Sequence, residues 1–481
     1  MRRNDKIGQN TKSLNIMNTT KSSNTKSVEG WSKAVKRVSA MMLVGAAVAA
    51  NSSAFAGGHG GTTIVTNGEF SVKAGVDVRL RYDGTDNLPT SSRGESTDSD
   101  YARVRIRPWM EMNYGDFGIF ARVADEFRYY HCPESNKSKQ RWPDVLFIDN
   151  LYFTANNLWD VLDVKVGRQD MSFGSKRIIS DGTGGDGSRS AYFDGIRLTW
   201  HADEKRTLDA FAFYQAKKDW MPTLGKEHEE GKDPHAYDTT GYAQDEMGAG
   251  LYWQDRANKD FGYDVYYVFK GERRNDDSKY RKEGKTAETH TVGVRLLPRF
   301  TETLSGEFEL AGQAGTHDLF AGQVYGGLTY APKASWKPQI TGAVWALSGD
   351  SEGERGHNAW HSVFNRETGL GEAIAPMYTK YNYNNLIYPH VAFKCNISDF
   401  SSVKAQVGPM YTAVKEEEAG SYRGTFAQVK YEIKLGKLFG VDLLNGGKLA
   451  LTGEYFSKGD YFKENQQHDA VFGRVELAWN F

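Results

Sequence analysis

Arginines recur at every second position in two stretches of the sequence. Arg79 and Arg81 form a pair, and Arg103, Arg105 and Arg107 form a row of three. Residues two apart point to the same side of a β-strand, so each set would place its guanidinium groups on one face. A guanidinium binds a carboxylate or a phosphate through two parallel hydrogen bonds. The spacing therefore indicates an anion-binding surface, in which like charges repel unless anions or carboxylates lie between them.

The same alternation of side-chain types extends through the sequence after residue 70. From Phe70 to Tyr82 apolar residues occupy one side and charged residues the other, and residues 471–481 repeat the pattern and end on Phe481. Such alternation predicts β-strands with one apolar and one charged face. A composition of 51 Gly, 26 Tyr and 25 Phe against 12 Pro suits strands and tight turns.

Long and short connections alternate between these strands. Counting segments of about ten residues gives about eighteen strands, an even number typical of bacterial outer-membrane barrels. The long connections, on the predicted outer side, are 83–100, 127–144, 171–191, 217–244 and 349–385. The short ones, on the inner side, are 113–116, 156–160, 202–205, 255–259 and 331–335, with a short outer loop at 313–317 and a long inner turn at 435–446 as exceptions. The sequence therefore predicts an all-β fold, a transmembrane antiparallel β-barrel with short periplasmic turns and long extracellular loops.

The N-terminal region has the three parts of a secretory signal. Basic residues including Lys33 and Arg37 precede an apolar run at 40–50, and the small residues Ala54 and Ala56 follow it at the positions that a signal peptidase reads. The run is shorter than the roughly twenty residues of a spanning helix. We therefore expect residues 1–56 to be a signal peptide cleaved near Ala56, leaving 57–481 as a single barrel in the outer membrane of a Gram-negative-type bacterium.

In such a barrel the apolar face meets lipid and the charged face surrounds a wet bore. Alternation selects nine arginines as candidates for lining the pore and binding solute, and a motif resemblance adds Arg168. The ten are Arg79, Arg81, Arg103, Arg105, Arg107, Arg122, Arg168, Arg197, Arg295 and Arg474. Rings of arginine and lysine line anion pores, and planar guanidinium groups favour carboxylated or phosphorylated solutes over halides. The alternative is a ladder of salt bridges that stiffens the wall and selects nothing.

Other chemistry is weakly represented. His290 and His390 lie on predicted strands, but no Ser or Thr nucleophile is positioned by the sequence beside either, so the chain is not expected to be an enzyme. Asp350, Glu352 and Glu354 lack the spacing of a calcium loop and indicate a solvated charged stretch. We therefore expect neither a cofactor nor a metal site.

Several short motifs occur in an order that resembles the alginate-export type of outer-membrane porin. The motifs are Arg107-Pro108-Trp109, Gly167-Arg168-Gln169, the segment 192–198 after a Gly-rich loop, and Gly371-Glu372-Ala373 in a long loop. The resemblance implies an eighteen-stranded barrel with an arginine-rich constriction that passes a polyuronate, with Arg107 and Arg168 among the constriction arginines.

The sequence departs from that family at three points. Asp149 stands about where the family has another arginine, and the inner turn 435–446 is shorter than the family's periplasmic plug. Alternation also places Arg168 on the side of the lipid-facing residues Val164 and Val166. Either a bulge at Gly167 turns Arg168 inward, or its charge reaches the lipid headgroups.

Together these observations predict a porin that gives passive diffusion of anionic solutes, either acidic saccharides or other organic anions. A non-selective or structural outer-membrane barrel is the alternative, followed by a secreted carbohydrate-binding β-protein. The expected partners are outer-membrane lipid and lipopolysaccharide, the barrel-assembly machinery that would read the terminal Phe481, and anionic small solutes or oligosaccharides. The formal net charge of -1 argues against a nucleic-acid partner. The long loop 349–385 either folds into the bore or lies on the surface.

Overall fold

The computed structural model of the chain describes residues 61–89, 96–130, 145–180, 192–216, 219–222, 224–225, 245–273, 287–316, 318–350, 358–365, 370–372, 384–415, 419–462 and 469–480. The predicted signal peptide, 1–56, and the terminal Phe481 lie outside these residues. Within the described part of the chain, no helix is long and apolar enough to cross a membrane.

The described residues form twenty strands and two short helical turns. The strands are β1 (Thr62–Asn67), β2 (Phe70–Pro89), β3 (Ser96–Tyr114), β4 (Phe117–Tyr130), β5 (Val145–Leu158), β6 (Leu162–Gln169), β7 (Phe193–Asp203), β8 (Arg206–Gln215), β9 (Leu224–Gly225), β10 (Asp245–Asp255), β11 (Phe261–Arg273), β12 (Ala287–Pro298), β13 (Leu304–Gly315), β14 (Leu319–Tyr330), β15 (Gln339–Leu347), β16 (Leu386–Asn396), β17 (Ser401–Tyr411), β18 (Tyr422–Lys434), β19 (Gly447–Lys458) and β20 (Ala470–Asn480). Helix α1 (Leu435–Phe439) and a 3₁₀ turn (Asp442–Leu444) connect β18 to β19.

Eighteen of the strands in the described residues close into an antiparallel barrel, which confirms the predicted fold. Each barrel strand pairs with the next along the chain, with β8 pairing to β10, and β20 pairs with β2 to complete the circle. The two strands outside the barrel are β1, which extends the sheet beside β2, and β9, which pairs with the outer end of β5. Closure leaves every barrel strand with two neighbours, so backbone groups are paired around the wall.

The two faces of the wall carry different side chains. On the outer face, Ile106, Val292 and Leu310 are 40%, 58% and 58% exposed. On the inner face of the same three strands, Arg105, Thr291 and Glu309 are buried. Exposed apolar side chains on successive strands suit a hydrocarbon environment, as the alternation predicted.

Two of the predicted outer loops are partly strand. Residues 83–89 continue β2 and residues 96–100 begin β3, and β4 continues to Tyr130. The ladder persists because cross-strand pairs such as Asp83 with Tyr101 continue beyond the expected boundary. The hydroxyl of Tyr82 also donates to Asp100 at 2.9 Å.

A large buried apolar cluster occupies part of the barrel interior, which corrects the expectation of a charged and wet bore throughout. Residues 171–180, predicted as part of a polar outer loop, place Met171, Phe173 and Ile179 in a buried cluster with inner-face aromatics such as Phe213. A sequence-based loop prediction reads average polarity and misses such anchors, whose burial depends on the surrounding wall.

The described part of the long loop 349–385 also folds inward. Trp360 and Phe364 are buried in the same cluster, and the ring of Phe364 packs edge-on against Phe213 of β8, with centroids 4.8 Å apart. The Phe364 backbone N–H donates to Ile178 at 3.0 Å, and the Ser180 N–H donates to Phe364 at 3.0 Å. Residues 358–365 therefore pack against the inner wall, and for this described part of the loop the inward placement is the correct one.

Candidate functional site: an arginine wall inside the barrel

Six of the predicted arginines form a continuous inner surface on β2, β3 and β4, which we call the arginine wall: Arg79, Arg81, Arg103, Arg105, Arg107 and Arg122. The antiparallel register places Arg79 opposite Arg105 and Arg81 opposite Arg103. Like charges directly opposite each other destabilise a sheet, so this register requires counter-charges nearby.

Glu126 and Asp77 supply two of these counter-charges, and each is shared between arginines. Glu126, on β4, accepts a hydrogen bond from Arg103 Nε at 2.5 Å and also lies 3.8 Å from Arg79 Nη2. Asp77, on β2, accepts a hydrogen bond from Arg107 Nη2 and lies 3.7 Å from Arg105 Nη2. Neither carboxylate belongs to one arginine alone.

Asp149 is the third shared carboxylate, and a β-bulge places it in the wall. The pairing of β4 with β5 skips one residue at this point, since Arg122 pairs with Asn150 while Val123 pairs with Ile148. The additional residue, Asp149, is fully buried, accepts a hydrogen bond from Arg122 Nε and lies 3.5 Å from Arg107 Nη1. Asp149, which the sequence singled out as a departure from the family resemblance, is thus a counter-charge of the wall.

Arg105 and Arg107 keep unused hydrogen-bonding capacity. Among the described residues, Arg105 Nε and Arg107 Nε have no hydrogen-bond partner although both atoms are buried. Arg105 contacts Asp77 only at the longer distance of 3.7 Å, because Arg107 holds the same carboxylate more closely. Both arginines therefore keep an Nε donor that no described acceptor uses.

Arg474 of β20 extends the wall across the point of barrel closure. Its Nε and Nη2 donate to the two oxygens of Asp83 at 2.6 and 3.0 Å. The same carboxylate lies 3.2 Å from Arg81 Nε. Seven of the ten predicted arginines are therefore brought together on four neighbouring strands.

Arg197 and Arg295 are on inner faces but outside the arginine wall. Arg197 of β7 pairs with Asp209 at 2.8 Å, and Arg295 of β12 pairs with Asp264 at 3.0 Å and Glu307 at 3.1 Å. These partners come from neighbouring strands of the same region, so neither arginine adds to the positive charge of β2–β4.

Arg168 is separate from the wall, and its geometry does not fit the predicted pore-lining role. The pairing of β6 with β7 continues without a bulge through Gly167, and the pairing with β5 aligns Arg168 with the outward-facing Leu151. Gly167 has φ +124°, but this conformation does not shift the register.

The guanidinium of Arg168 is fully buried by protein partners. It donates to Asp194 at 2.8 and 2.9 Å, to Asp219 at 3.0 and 2.7 Å, and lies 3.6 Å from the centroid of the Tyr192 ring. All three guanidinium nitrogens are engaged, so no donor remains for a solute. Burial alone would raise the pKa of Asp219, but the hydrogen bonds and charge of Arg168 hold it below its usual value.

A second charged cluster lies on β11 and β13, and we call its three acids the carboxylate wall: Asp264, Glu307 and Glu309. Arg177, which no alternation pattern predicts to face the bore, reaches it from the inward segment 171–180 and donates to Glu307 at 2.8 Å and Glu309 at 2.7 Å. Tyr266 and Ser175 each donate to Glu309 at 2.8 Å. Phe173 and Ile179, apolar residues inside a supposedly polar loop, were the available signal that this segment turns inward.

The comparison with protein families matches the alginate export family over residues 70–418. The chain belongs to this family. The match covers the arginine wall and both inward segments, and it confirms the resemblance drawn from the motifs. A search of curated proteins gives no match.

Solved outer-membrane channels have the same fold at low sequence identity. OccAB1 of Acinetobacter baumannii gives a TM-score of 0.56 at 11% identity, covering 88% of this chain and 99% of that one. OccK5 (OpdH) of Pseudomonas aeruginosa gives 0.55 at 11% identity, covering 85% and 97%. The outer membrane protein opdK of the same species gives 0.53 at 12% identity, covering 84% and 98%.

The family and the fold identify a porin-like barrel of the Gram-negative outer membrane, which contacts lipid and passes small solutes. It is a channel and not an enzyme. In the part of the chain that the structure describes, no group of three or more His, Cys, Asp or Glu side chains is arranged to hold a metal ion.

Proposed function

We propose that the protein is a porin for passive diffusion of anionic solutes, and that the arginine wall together with Arg474 selects them. The observation that carries this proposal is the sharing of Asp77, Glu126 and Asp149, each of which contacts at least two arginines. A carboxylate that is shared between two arginines leaves each of them able to attract a further anion, and Glu476, 4.0 Å from Arg79, and Asp170, 2.9 Å from Arg122, reduce the net positive charge of the region.

The size of the effect is sufficient to bias which ion enters. Two charges about 7 Å apart interact by roughly 2 kcal/mol at an effective dielectric of about 20. Such an energy corresponds to a factor of about 30 in relative occupancy before screening by water and salt. The fork of a guanidinium favours carboxylates over halides because it binds two oxygens at once.

Acidic saccharides are the solute class that we propose first, with other organic anions as the broader class. The alginate export family match supports a uronate, and the arginine wall supplies donors suited to its carboxylates. Lipopolysaccharide contacts and recognition of Phe481 by the barrel-assembly machinery belong to the same proposal, as does removal of residues 1–56.

The competing function is a non-selective barrel whose wall is only stiffened by its ion pairs. It is favoured by the number of close pairs, such as Arg103 with Glu126 and Arg474 with Asp83. Buried pairs of this kind fix geometry without adding net attraction for a solute.

Reversal potentials across a salt gradient in a planar bilayer distinguish the two functions. We expect anion preference in the wild type and a smaller preference in a variant carrying Arg105→Gln and Arg107→Gln. Arg206→Gln is the matched control, because Arg206 is exposed at a periplasmic turn and pairs with Asp203. Cation preference in the wild type, or equal potentials in wild type and double variant, would overturn the anion-porin proposal.

A further inference from the structure

Glu372, in the long loop 349–385, is held against the inner wall by its own backbone. Its N–H donates to Glu454 of β19. The preceding Gly371 has φ +147°, and a Cβ there would lie 2.7 Å from Phe426 and 2.9 Å from a carboxylate oxygen of Glu454. Glycine is therefore required for this close approach, which fixes where the Glu372 side chain begins.

The Glu372 carboxylate is bound by two cations from different strands. Lys430 Nζ of β18 donates to one oxygen at 3.0 Å, and Arg474 Nη1 of β20 donates to the other at 2.8 Å. The Arg474 side chain is 3% exposed, and Asp83 holds its remaining face through two hydrogen bonds. The two cations are thus preorganised to grip a carboxylate through both oxygens.

The position of this pair relates it to the arginine wall. Arg474 is connected through Asp83 to Arg81, so the Glu372 carboxylate lies at the edge of the positive region. Glu372 comes from a loop, whereas Lys430 and Arg474 belong to the barrel strands. A carboxylate on a loop that fills a cationic site on the wall is chemically equivalent to the anionic group of a solute.

We propose that Lys430 and Arg474 form a carboxylate-binding subsite and that Glu372 is its built-in competitor. A solute carboxylate binds there by displacing the Glu372 side chain, so Glu372 sets the affinity and selectivity for carboxylated solutes. This inference rests on the proposed anion-porin function and adds to it a specific subsite with its competing residue. No bond is made or broken, because the step exchanges one carboxylate for another.

The test uses block of single-channel chloride current by glucuronate, with glucose as the neutral analogue. Glu372→Gln keeps the size of the side chain and removes its charge. We expect glucuronate to block this variant at a concentration about tenfold lower than the wild type, because a charge-assisted competitor has been weakened. Glucose block should not change. Lys430→Gln should raise the blocking concentration of glucuronate, because it removes one of the two cations.

Glu302→Gln is the control, since Glu302 is exposed at an inner turn and pairs with Lys333, and it makes the same change of charge outside the bore. Folding of each variant is checked by heat-modifiable migration, and Glu372→Asp gives a second reading, with block close to the wild type.

Unchanged glucuronate block in Glu372→Gln would overturn the subsite. If Arg105→Gln with Arg107→Gln still lowers anion preference in that case, the proposed function stands and only the subsite fails. If the wild type prefers cations but Glu372→Gln still gains glucuronate affinity, the subsite stands and the anion-porin function fails. Equal gains of affinity in Glu372→Gln and Glu302→Gln would also overturn the subsite, because they indicate a general charge effect.

Discussion

The arginine wall and the carboxylate wall use the same kinds of ion pair but satisfy them differently. In the arginine wall, three acids are shared by arginines that include Arg105, whose nearest carboxylate oxygen lies at 3.7 Å. In the carboxylate wall, neutral hydroxyl groups complete the hydrogen bonding of the acids. Tyr266 donates to Glu309, and Tyr252 donates to Asp264 at 2.9 Å. Tyrosine can satisfy a carboxylate without adding charge. An arginine in this bore is stabilised most by an additional anion, so the arginine wall remains able to bind anionic solutes.

The two walls are also opposite each other in the strand order. Strand β11 lies eight places from β2, and β13 lies nine places from β3, around the eighteen-stranded barrel. A solute that crosses between them would meet positive charge on one side and saturated acids on the other. The following predictions test this contrast through the selectivity of the channel, from the largest expected effect to the smallest.

Reversing the charge of the arginine wall should have the largest effect. Arg105→Glu combined with Arg107→Glu replaces two neighbouring cations, each with an unused Nε donor, by anions, and we expect the anion preference to be lost or reversed. Reversal potentials across a salt gradient measure it, with Arg206→Glu at a periplasmic turn as the control. Unmoved potentials in a folded double variant would make the wall purely structural.

Neutralising one acid in each wall should give opposite outcomes. Asp77→Asn removes a shared counter-charge, so anion preference should increase by a few fold at most. Glu309→Gln weakens buried hydrogen bonds from Tyr266, Ser175 and Arg177, and should cost about 1–3 kcal/mol of unfolding free energy with a smaller shift in selectivity. Urea unfolding in detergent measures the change in stability of each variant, and reversal potentials measure its change in selectivity. Equal shifts of selectivity in both variants would contradict the difference between the walls.

Salt should reduce the anion preference without abolishing it. The screening length falls from about 10 Å at 0.1 M to about 3 Å at 1 M salt, while buried charges are screened less. Reversal potentials at fixed concentration ratio and increasing mean salt test this. A preference that is independent of salt would argue for selection by bore size, which ionic strength does not affect.

Arg168 should have the smallest effect on selectivity and a clear effect on stability. Arg168→Gln leaves Asp194 and Asp219 without their cation, and breaking a buried pair of this kind costs about 3–5 kcal/mol. Reversal potentials should match the wild type while the urea midpoint falls. A changed selectivity at wild-type stability would instead indicate that Arg168 lines the pore.

The same arginine predicts how acid affects the segment 219–222. Because the pKa of Asp219 is lowered from 3.8 in the folded barrel, its contribution to stability is complete above that value and is lost as the pH falls through the lower folded value. Limited proteolysis should therefore show constant protection near residue 219 between pH 7 and about pH 4, and decreasing protection at lower pH. In Arg168→Gln, burial raises the pKa of Asp219 without the opposing effect of Arg168, so protection should be lower at neutral pH and should not fall further as Asp219 is protonated.

The sequence alone was sufficient for the barrel, its strand faces and its family. Each depends on the two-residue period of a β-strand, as in the row Arg103, Arg105 and Arg107. This period is local to one strand, so it can be read from the sequence without knowing the neighbouring strands. The same property identified seven arginines that do lie together. It could not separate them from Arg197 and Arg295, which share their parity but belong to other regions of the wall.

The tertiary structure decided which charges meet. Asp149 entered the wall through a bulge, Arg177 entered the bore on a segment without strand periodicity, and Glu372 reached Arg474 from a residue 102 positions away in the chain. Arg168 kept the outward parity that alternation assigns and was neutralised by Asp219 from another loop. Ion pairs depend on distances across the sheet and from inward loops, and a one-dimensional pattern carries no information about those distances until the barrel has closed.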